Sequence, residues 1–380
     1  MYINYISMVN LRNHKQTQVD FGKGLNVLYG LNGSGKTTIL EAISLCGFSK
    51  SFLRVSDSSL IKQDENFWNI TLNSRTDLDV PYKINIRLNG NSKKQISSTF
   101  GDNLLPKDII GELPVVILSP DYKSITSGSP ADRREFIDKI LAQSSKIYVD
   151  DIIRFKKALK QRNNLLIKGK TEKHFNHQVI EPWTEILINT GSSIIKKRKE
   201  FESDFQSTFQ NIYKNVSNGK EEVSIEYLPN GVGELNTKSD KEEIKEKLRE
   251  KFISAGNEEM RRGTTLFGPQ KDELKISINS GVSREFASQG QHKSLLISLK
   301  FSEFQYLKEK KRETPVVLLD DIFSELDIER AAKVLELVTT NSAQTLITVT
   351  DGETMKKLMP NNANCNYYRV ENGTVSQEKI

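Results

Sequence analysis

Apolar and polar positions change their spacing twice along the chain, and the changes divide it into three stretches. The first has strand spacing. Ile3 to Leu11 and Val19 to Phe21 are short runs carrying apolar residues, and Leu25-Asn-Val-Leu-Tyr29 is a compact apolar run that stops at Gly30. Ile84, Ile86 and Leu88 alternate with polar neighbours, and Asn89-Gly90 then supplies a tight turn. Val115-Val-Ile-Leu118 reads as a buried strand closed by Ser119-Pro120.

Helical spacing takes over near Ser129. Ser129-Pro130-Ala131-Asp132 offers an N-cap, a proline at the first helical position and an acid in the first turn. Trp183, Leu187, Ile194, Phe201, Phe205, Phe209, Ile212 and Val216 fall at steps built from threes and fours, as one helix face requires. Ser239-x-x-Glu242 reads as a capping box ahead of Ile244, Leu248 and Phe252. Around Gly256 strand spacing returns: Leu274, Ile276 and Ile278 alternate, and Val316–Leu319 and Thr345–Thr348 are short apolar runs. The expectation is an α/β fold split by a mostly helical insert, with divisions at 1–128, 129–257 and 258–380. The insert is too short for the long coiled coil of chromosome-structure proteins.

Composition narrows the class. A chain of 380 residues, 36% hydrophobic and 27% charged, is expected to be soluble and to hold two or three folded units. It has no apolar run of about eighteen residues, so no membrane span is expected. The N-terminal MYINYISMVN lacks the pattern of a secretory signal. Cys46 and Cys365 are too few for a disulfide framework or a zinc site, which fits a reducing cytoplasm. Net charge +6 with pI near 8.9 permits a nucleic-acid partner, provided the positive charge gathers on one surface.

The sharpest chemical signal is Gly30-Leu31-Asn32-Gly33-Ser34-Gly35-Lys36-Thr37-Thr38, which satisfies G-x-x-x-x-G-K-[ST]. An apolar strand precedes it, and a helix bearing Leu40 and Ile43 follows. Glycines let the backbone aim its N–H groups at phosphates, and the helix N-terminus adds partial positive charge. Lys36 is expected to reach the β- and γ-phosphates of ATP, and the Thr37 hydroxyl to ligate Mg²⁺. Val316-Val-Leu-Leu319-Asp320-Asp321 has the form of a Walker B strand. Asp320 is expected to hold the metal, and Asp321 to orient or deprotonate the attacking water.

Ser288-Gln289-Gly290-Gln291 precedes an apolar helix bearing Leu296, Leu299, Phe301, Phe304 and Leu307, and resembles an ABC signature motif. Such a motif contacts the γ-phosphate of a partner head, which makes Ser288 a catalytic candidate in trans, with Gly290 and Gln291 beside it. Ser324-Glu-Leu-Asp327 resembles the D-loop. Phosphate loop, signature, Walker B and D-loop stand in the order of an ABC-type ATPase head. The usual switch histidine is missing from Ile347-Thr348-Val349-Thr350-Asp351. Either hydrolysis is slow, or Thr348 or Thr350 takes the phosphate contact.

Over nearly its whole length the chain resembles the bacterial RecF family of recombination-repair proteins. The likeness rests on Leu11-Arg-Asn13, on Ser51-Phe-Leu-Arg54…Asp57…Leu60-Ile61 and on Pro120-Asp121. It rests further on Gly128-x-Pro130-x-x-Arg133-Arg134-x-Phe136-x-Asp138 and on Phe267-Gly-Pro-Gln270-Lys271-Asp272-Glu273-Leu274. The family commonly has histidine and arginine where this chain has Gln270 and Lys271, which leaves the role of those two positions open. The resemblance implies a cytoplasmic clamp that dimerises on DNA when ATP binds and releases it on hydrolysis. It also implies action at gapped or single-strand/double-strand junctions, with RecR and RecO helping to load RecA, in support of replication restart and SOS induction.

Candidate DNA contacts are Lys156, Lys157 and Lys160, next to Arg162, and Lys196 and Lys197, next to Arg198 and Lys199; Lys93-Lys94 form a further basic pair. These either meet phosphates or form solvated helix faces, since acids are interleaved. Arg133 and Arg134 either serve function or form ion pairs with Glu135 or Asp138. His14, His174, His177 and His292 make no metal set, and His174 and His177 read as surface residues. Other readings of the residues are a transporter motor subunit, a P-loop phosphotransferase, and an SMC- or Rad50-type head. The insert and the absent switch histidine weigh against the first, the signature motif against the second, and the missing Cys-x-x-Cys hook against the third.

Overall fold

The structure, a computed structural model, describes residues 1–90, 92–171, 177–235, 239–359 and 364–378. It opens with β1 (Tyr2–Leu11), β2 (His14–Asp20), β3 (Leu25–Tyr29) and helix α1 (Lys36–Phe48). Strands β4 (Phe67–Arg75), β5 (Pro81–Asn89) and β6 (Gln95–Ser98) follow, then α2 (Pro106–Ile109) and β7 (Val115–Leu118). Helices α3 (Ser124–Ser127), α4 (Pro130–Ser144), α5 (Lys146–Thr171) and α6 (Glu181–Val216) come next. After them stand β8 (Val223–Leu228), α7 (Lys241–Arg262), β9 (Glu273–Ile278), β10 (Gly281–Val282) and α8 (Ser283–Phe286). The last described elements are α9 (Gln289–Lys311), β11 (Val316–Asp320), α10 (Ile328–Thr340), β12 (Thr345–Val349), α11 (Gly352–Leu358), β13 (Cys365–Glu371) and β14 (Thr374–Glu378).

These elements form two compact units, Met1–Lys123 with Gln289–Ile380, and Ser124–Ser288. The first unit holds an antiparallel sheet in the order β2-β1-β4-β5-β6 and a mixed sheet in the order β14-β13-β3-β12-β11-β7. Helix α1 packs on β4 and β5 of the first sheet and on β11 and β12 of the second. Covered on both sides, it buries residues all round its circumference from Ile39 to Gly47. The parallel strands are likewise buried on both faces, which is why β7, β11 and β12 are continuous apolar runs rather than alternating ones. Parallel pairing of β12 with β3 sets Val349 opposite Tyr29, and pairing with β11 sets Thr348 opposite Asp320. The carboxyl ends of β3, β12 and β11 therefore lie side by side, the edge at which open α/β sheets bind ligands.

The second unit packs α4 to α7 with a three-stranded sheet in the order β10-β9-β8. The aromatic face of α6 is its core: Phe201, Phe205, Phe209 and Tyr213 are buried, with the Phe201 and Phe205 ring centres 4.7 Å apart. Asp272 is wholly buried and accepts from Arg198 at 2.8 Å, from the Asn230 amide at 2.7 Å and from the Tyr227 hydroxyl. Arg198 also reaches Asp138 at 2.8 Å. Arg162 pairs with buried Glu259 at 2.6 Å and with Thr265 at 2.8 Å.

Several expectations change here. The division at 257/258 falls inside α7, whose buried face continues through Ile244, Leu248, Phe252, Ala255 and Glu259. The compact unit runs on to Ser288 because β9 pairs with β8. Its start lies after Lys123, not at 129. The cap of α7 is Asp240, whose carboxylate accepts from the Lys241 amide at 2.6 Å, so the cap lies one residue later than Ser239 and Glu242 falls at the second helical position. At α4 the Asp132 carboxylate accepts from the Ser129 amide at 2.9 Å, as the motif requires. Arg133 pairs with Glu273 at 2.8 Å, and Arg134 donates to the Asp272 carbonyl at 2.6 Å, with the Asp138 charge acting on Arg134 as well.

Candidate functional site

The phosphate loop leaves β3 at Gly30 and enters α1 at Lys36. Two of its glycines are dictated by geometry. Gly30 has φ +152°, and a Cβ there would collide with the Val370 carbonyl; Gly35 has φ +111°, and a Cβ would strike the His14 ring. The carbonyls of Gly33, Ser34 and Gly35 are satisfied from behind the loop. Gly33 O accepts from Asn13 Nδ2 at 3.1 Å, Ser34 O from the Gly373 amide at 2.9 Å, and Gly35 O lies 3.0 Å from His14 Nε2. With their carbonyls tied outward, the amides of this segment can face a bound anion.

Lys36 folds back, and its ammonium donates to the carbonyls of Gly30 and Leu31 at 2.8 and 3.0 Å. Burial lowers its pKa, against the opposing pull of Asp321 and Asp320. The Thr37 hydroxyl donates to Asp320 at 2.9 Å, across 283 positions of sequence. Asp320 also accepts from the buried Thr348 hydroxyl at 2.9 Å. Burial raises the Asp320 pKa, the two hydroxyls oppose the rise, and Asp321 and Asp121 reinforce it. Asp321 stands in the left-handed region with φ +48°, held by its amide donating to Thr348 Oγ1 at 2.9 Å. A strained residue between the end of a strand and a phosphate loop is placed there by its neighbours, not by its own preference.

Arg12, Asn13, Asn32, Gly33, Gly35, Lys36, Thr37, Thr38, Asp321 and Thr348 line one open cleft of about 330 Å³. Asn13, in that lining, has its Oδ1 buried without a hydrogen-bond partner, as expected of a group that awaits a polar ligand. The fit to a magnesium–nucleotide is therefore good in charge, donors and space. Of the two threonines considered for the missing switch histidine, Thr348 lines the cleft and Thr350 is exposed.

Ser288 is exposed, and α9 begins at the next residue, so Gly290 and Gln291 lie in its first turn. Lys156, Lys157 and Lys160 are exposed on α5, which carries no acid from Ile152 to Thr171. The second basic run is different. Lys197 pairs with Glu200 at 2.8 Å, Lys199 with Glu202 at 2.6 Å, Lys196 approaches Asp240 at 3.9 Å, and Arg198 is buried. Arg162 is buried too, so neither arginine belongs to a basic surface. Lys94 is tied to Asp57 at 2.7 Å. Gln270 donates to the Phe267 carbonyl at 2.7 Å, a local turn contact. His174 lies outside the described residues. His292 is buried.

Sequence reasoning missed the residues behind the loop. His14 is buried, with Nδ1 2.9 Å from Thr17 Oγ1. Arg12 forms a two-pronged pair with the buried Glu41 at 2.5 and 2.9 Å. Arg12 and Asn13 stand out in the sequence only through the family likeness, and nothing local to His14, Glu41 or Gly373 signals a site. Their meeting depends on how β2, α1 and the β13–β14 turn come together.

No described helix is long and apolar enough to cross a membrane. The RecF/RecN/SMC N-terminal domain family model matches residues 2–376. The DNA replication and repair protein RecF of Clostridium acetobutylicum is 34% identical over 378 residues, covering 99% of this chain and 100% of that protein. Its counterpart in Chlorobium phaeovibrioides is 34% identical over 354 residues, covering 92% and 94%. A solved structure of the recombination mediator protein RecF with ATP, from the RecFOR pathway, has a TM-score of 0.90 at 30% identity, covering 100% of this chain and 98% of that one. An Smc head bound to the C-terminal winged-helix domain of ScpA shares the fold at a TM-score of 0.56 and 17% identity. A phosphate loop facing a Walker B strand across one cleft, carried on a chain alike from end to end, places this protein in the RecF family of DNA replication and repair proteins.

Proposed function

We propose that this protein is an ATP-driven clamp on DNA. The observation that carries the reading is the convergence of Lys36, Thr37 and Asp321 on one cleft, with Asp320 bonded to Thr37 across 283 residues of sequence. The amides of Gly30 to Thr38 bind the phosphates, and Lys36 exchanges its two carbonyl partners for phosphate oxygens. Thr37 and Asp320 hold Mg²⁺, which neutralises charge on the phosphates when bound. Asp321 orients the attacking water and takes its proton. Ser288, Gly290 and Gln291 of a second copy complete the site, so that nucleotide drives homodimerisation and hydrolysis reverses it. Turnover is slow, because Thr348 stands where a switch histidine would polarise the phosphate, and DNA stimulates it.

Lys156, Lys157 and Lys160 contact the DNA backbone through charge, without reading sequence, and Lys196 and Lys197 contribute less because acids already hold them. The chain works in the cytoplasm at gapped or single-strand/double-strand junctions, with RecR and RecO, to help load RecA in replication restart and the SOS response. Family membership sets aside the transporter and phosphotransferase readings.

Sedimentation with and without ATP and gapped DNA tests the reading in wild type, Lys36→Arg and Ser288→Arg. ATP is expected to shift wild type to dimers and to leave both variants monomeric. Dimers of Ser288→Arg at the wild-type ATP concentration would overturn the trans site.

A further inference from the structure

The loop after β11 and the first two turns of α9 are fastened together inside one head. Arg330, in the first turn of α10, makes the main tie. Its Nε donates to Ser294 Oγ at 2.9 Å, and its Nη1 donates to the Asp327 carboxylate. Asp327 is the N-cap of α10 and also accepts from the Arg330 amide at 2.9 Å. A Cβ on Gly290 would lie 3.2 Å from Arg330 Nη2, so the guanidinium sits against the bare backbone of the signature turn. A second tie runs beside it: the Lys293 ammonium donates to the Glu325 carbonyl. The loop itself is bound to Walker B, since Ser324 Oγ donates to the Asp321 carbonyl at 2.7 Å.

We propose that Arg330 is a positioning residue that registers the signature turn against the loop following Walker B, so that each head's own nucleotide site sets how well that head completes its partner's site. The proposal rests on the trans-site reading above. Its physical basis is the shape of the guanidinium. A planar fork binds a hydroxyl with one edge and a carboxylate with the other while lying flat on a glycine backbone. These groups belong to the signature turn, to the α9 turn that follows it and to the segment after Walker B. A displacement of Asp321 is thus passed through Ser324 and Glu325 to Lys293, and through Asp327 and Arg330 to Ser294 and Gly290. Arg330 does not line the nucleotide cleft, so its loss acts on the partner's site and not on the first binding event.

The test compares wild type, Arg330→Ala, Arg330→Lys, Ser294→Ala, the double variant Arg330→Ala/Ser294→Ala and Ser288→Arg. Two quantities are read: affinity of dilute monomer for a fluorescent ATP analogue, and the ATP concentration that half-drives dimerisation. Arg330→Ala is expected to bind the analogue within about twofold of wild type, yet to need about tenfold more ATP to dimerise. Arg330→Lys keeps charge but not the fork, and is expected to fall between. Ser294→Ala is expected to weaken dimerisation by itself and to add little to Arg330→Ala, because both remove one contact. Wild-type dimerisation by Arg330→Ala, with Ser288→Arg still monomeric, overturns the positioning role and leaves the trans site standing. Wild-type dimerisation by Ser288→Arg overturns the trans site beneath it. If Arg330→Ala loses analogue binding outright, Ser294→Ala decides: wild-type dimerisation by that variant overturns the proposal.

Discussion

Asp321 and His14 show how single side chains acquire roles from what surrounds them. Asp321 is held in a left-handed conformation at the mouth of the cleft, where its carboxylate faces the space beside Lys36. Asp321→Asn keeps the shape and removes the base. It is expected to lower single-turnover hydrolysis by about a hundredfold or more while ATP affinity stays within a few fold; an unchanged rate would show that Asp321 is not the base. His14 has the opposite relation to charge. Burial and the nearby Lys62 push its pKa below the ordinary 6.5. The unfolded chain then takes up a proton near pH 6.5 that the folded chain refuses until lower pH. Stability from this group is full above about 6.5 and is lost as pH falls from there through the folded value. Between pH 7.5 and 5.5 the melting temperature of wild type should therefore drop further than that of His14→Gln, which keeps a donor for the Gly35 carbonyl. Parallel curves for the two proteins would remove His14 from this account.

Helix α5 and strand β9 illustrate two uses of charge. On α5 the exposed lysines have no acid near them in the helix from Ile152 to Thr171, so the proposed phosphate contact would neutralise them without breaking a pair within that stretch. Reversing Lys156, Lys157 and Lys160 to glutamate should lower the salt dependence of DNA binding by about 0.9 in log–log slope per lost contact. Lys197→Glu should do less, since Glu200 already holds that lysine. A full slope in the triple variant would exclude α5 from the DNA surface. Just before β9 a charge is buried instead. Asp272 joins Arg198, Tyr227 and the Asn230 amide, and its loss takes the shared acceptor from three donors, leaving the Arg198 guanidinium with Asp138. Asp272→Ala is expected to destabilise the helical unit by about 3–5 kcal/mol, measured by urea unfolding. A cost below about 1 kcal/mol would mean that water reaches this network.

For the molecule as a whole, the proposed dimer has two composite sites, each built from the phosphate loop of one copy and the signature of the other. Mixing Lys36→Ala with Ser288→Arg tests this directly. Neither variant forms a competent site alone, but a mixed dimer joins the intact loop of one to the intact signature of the other. Because neither variant pairs with itself, hydrolysis restored to as much as about half of wild type is expected, one working site per mixed dimer. Absence of any recovery on mixing would argue for sites completed within one chain.

Local order is written in the sequence itself. The phosphate loop, the Walker B strand and the α6 face depend on residues near one another along the chain, and glycine geometry, strand burial and helical period each leave a local trace. Composition and spacing also reveal an α/β head interrupted by helices. Long-range placement leaves no such trace. Gly256 has the local character of a break, yet α7 continues through it because Phe252, Ala255 and Glu259 keep their buried face. Arg162 and Arg198 sit in basic runs that suggest surface charge. Arg198 is instead buried against Asp272, 74 residues away, and Arg162 against Glu259, 97 residues away. Whether a charge meets solvent or a buried partner depends on which distant segment folds over it. The backing of the phosphate loop by His14 and Gly373, and the meeting of Thr37 with Asp320, likewise arise from packing of the two sheets around α1, which no spacing along the chain encodes.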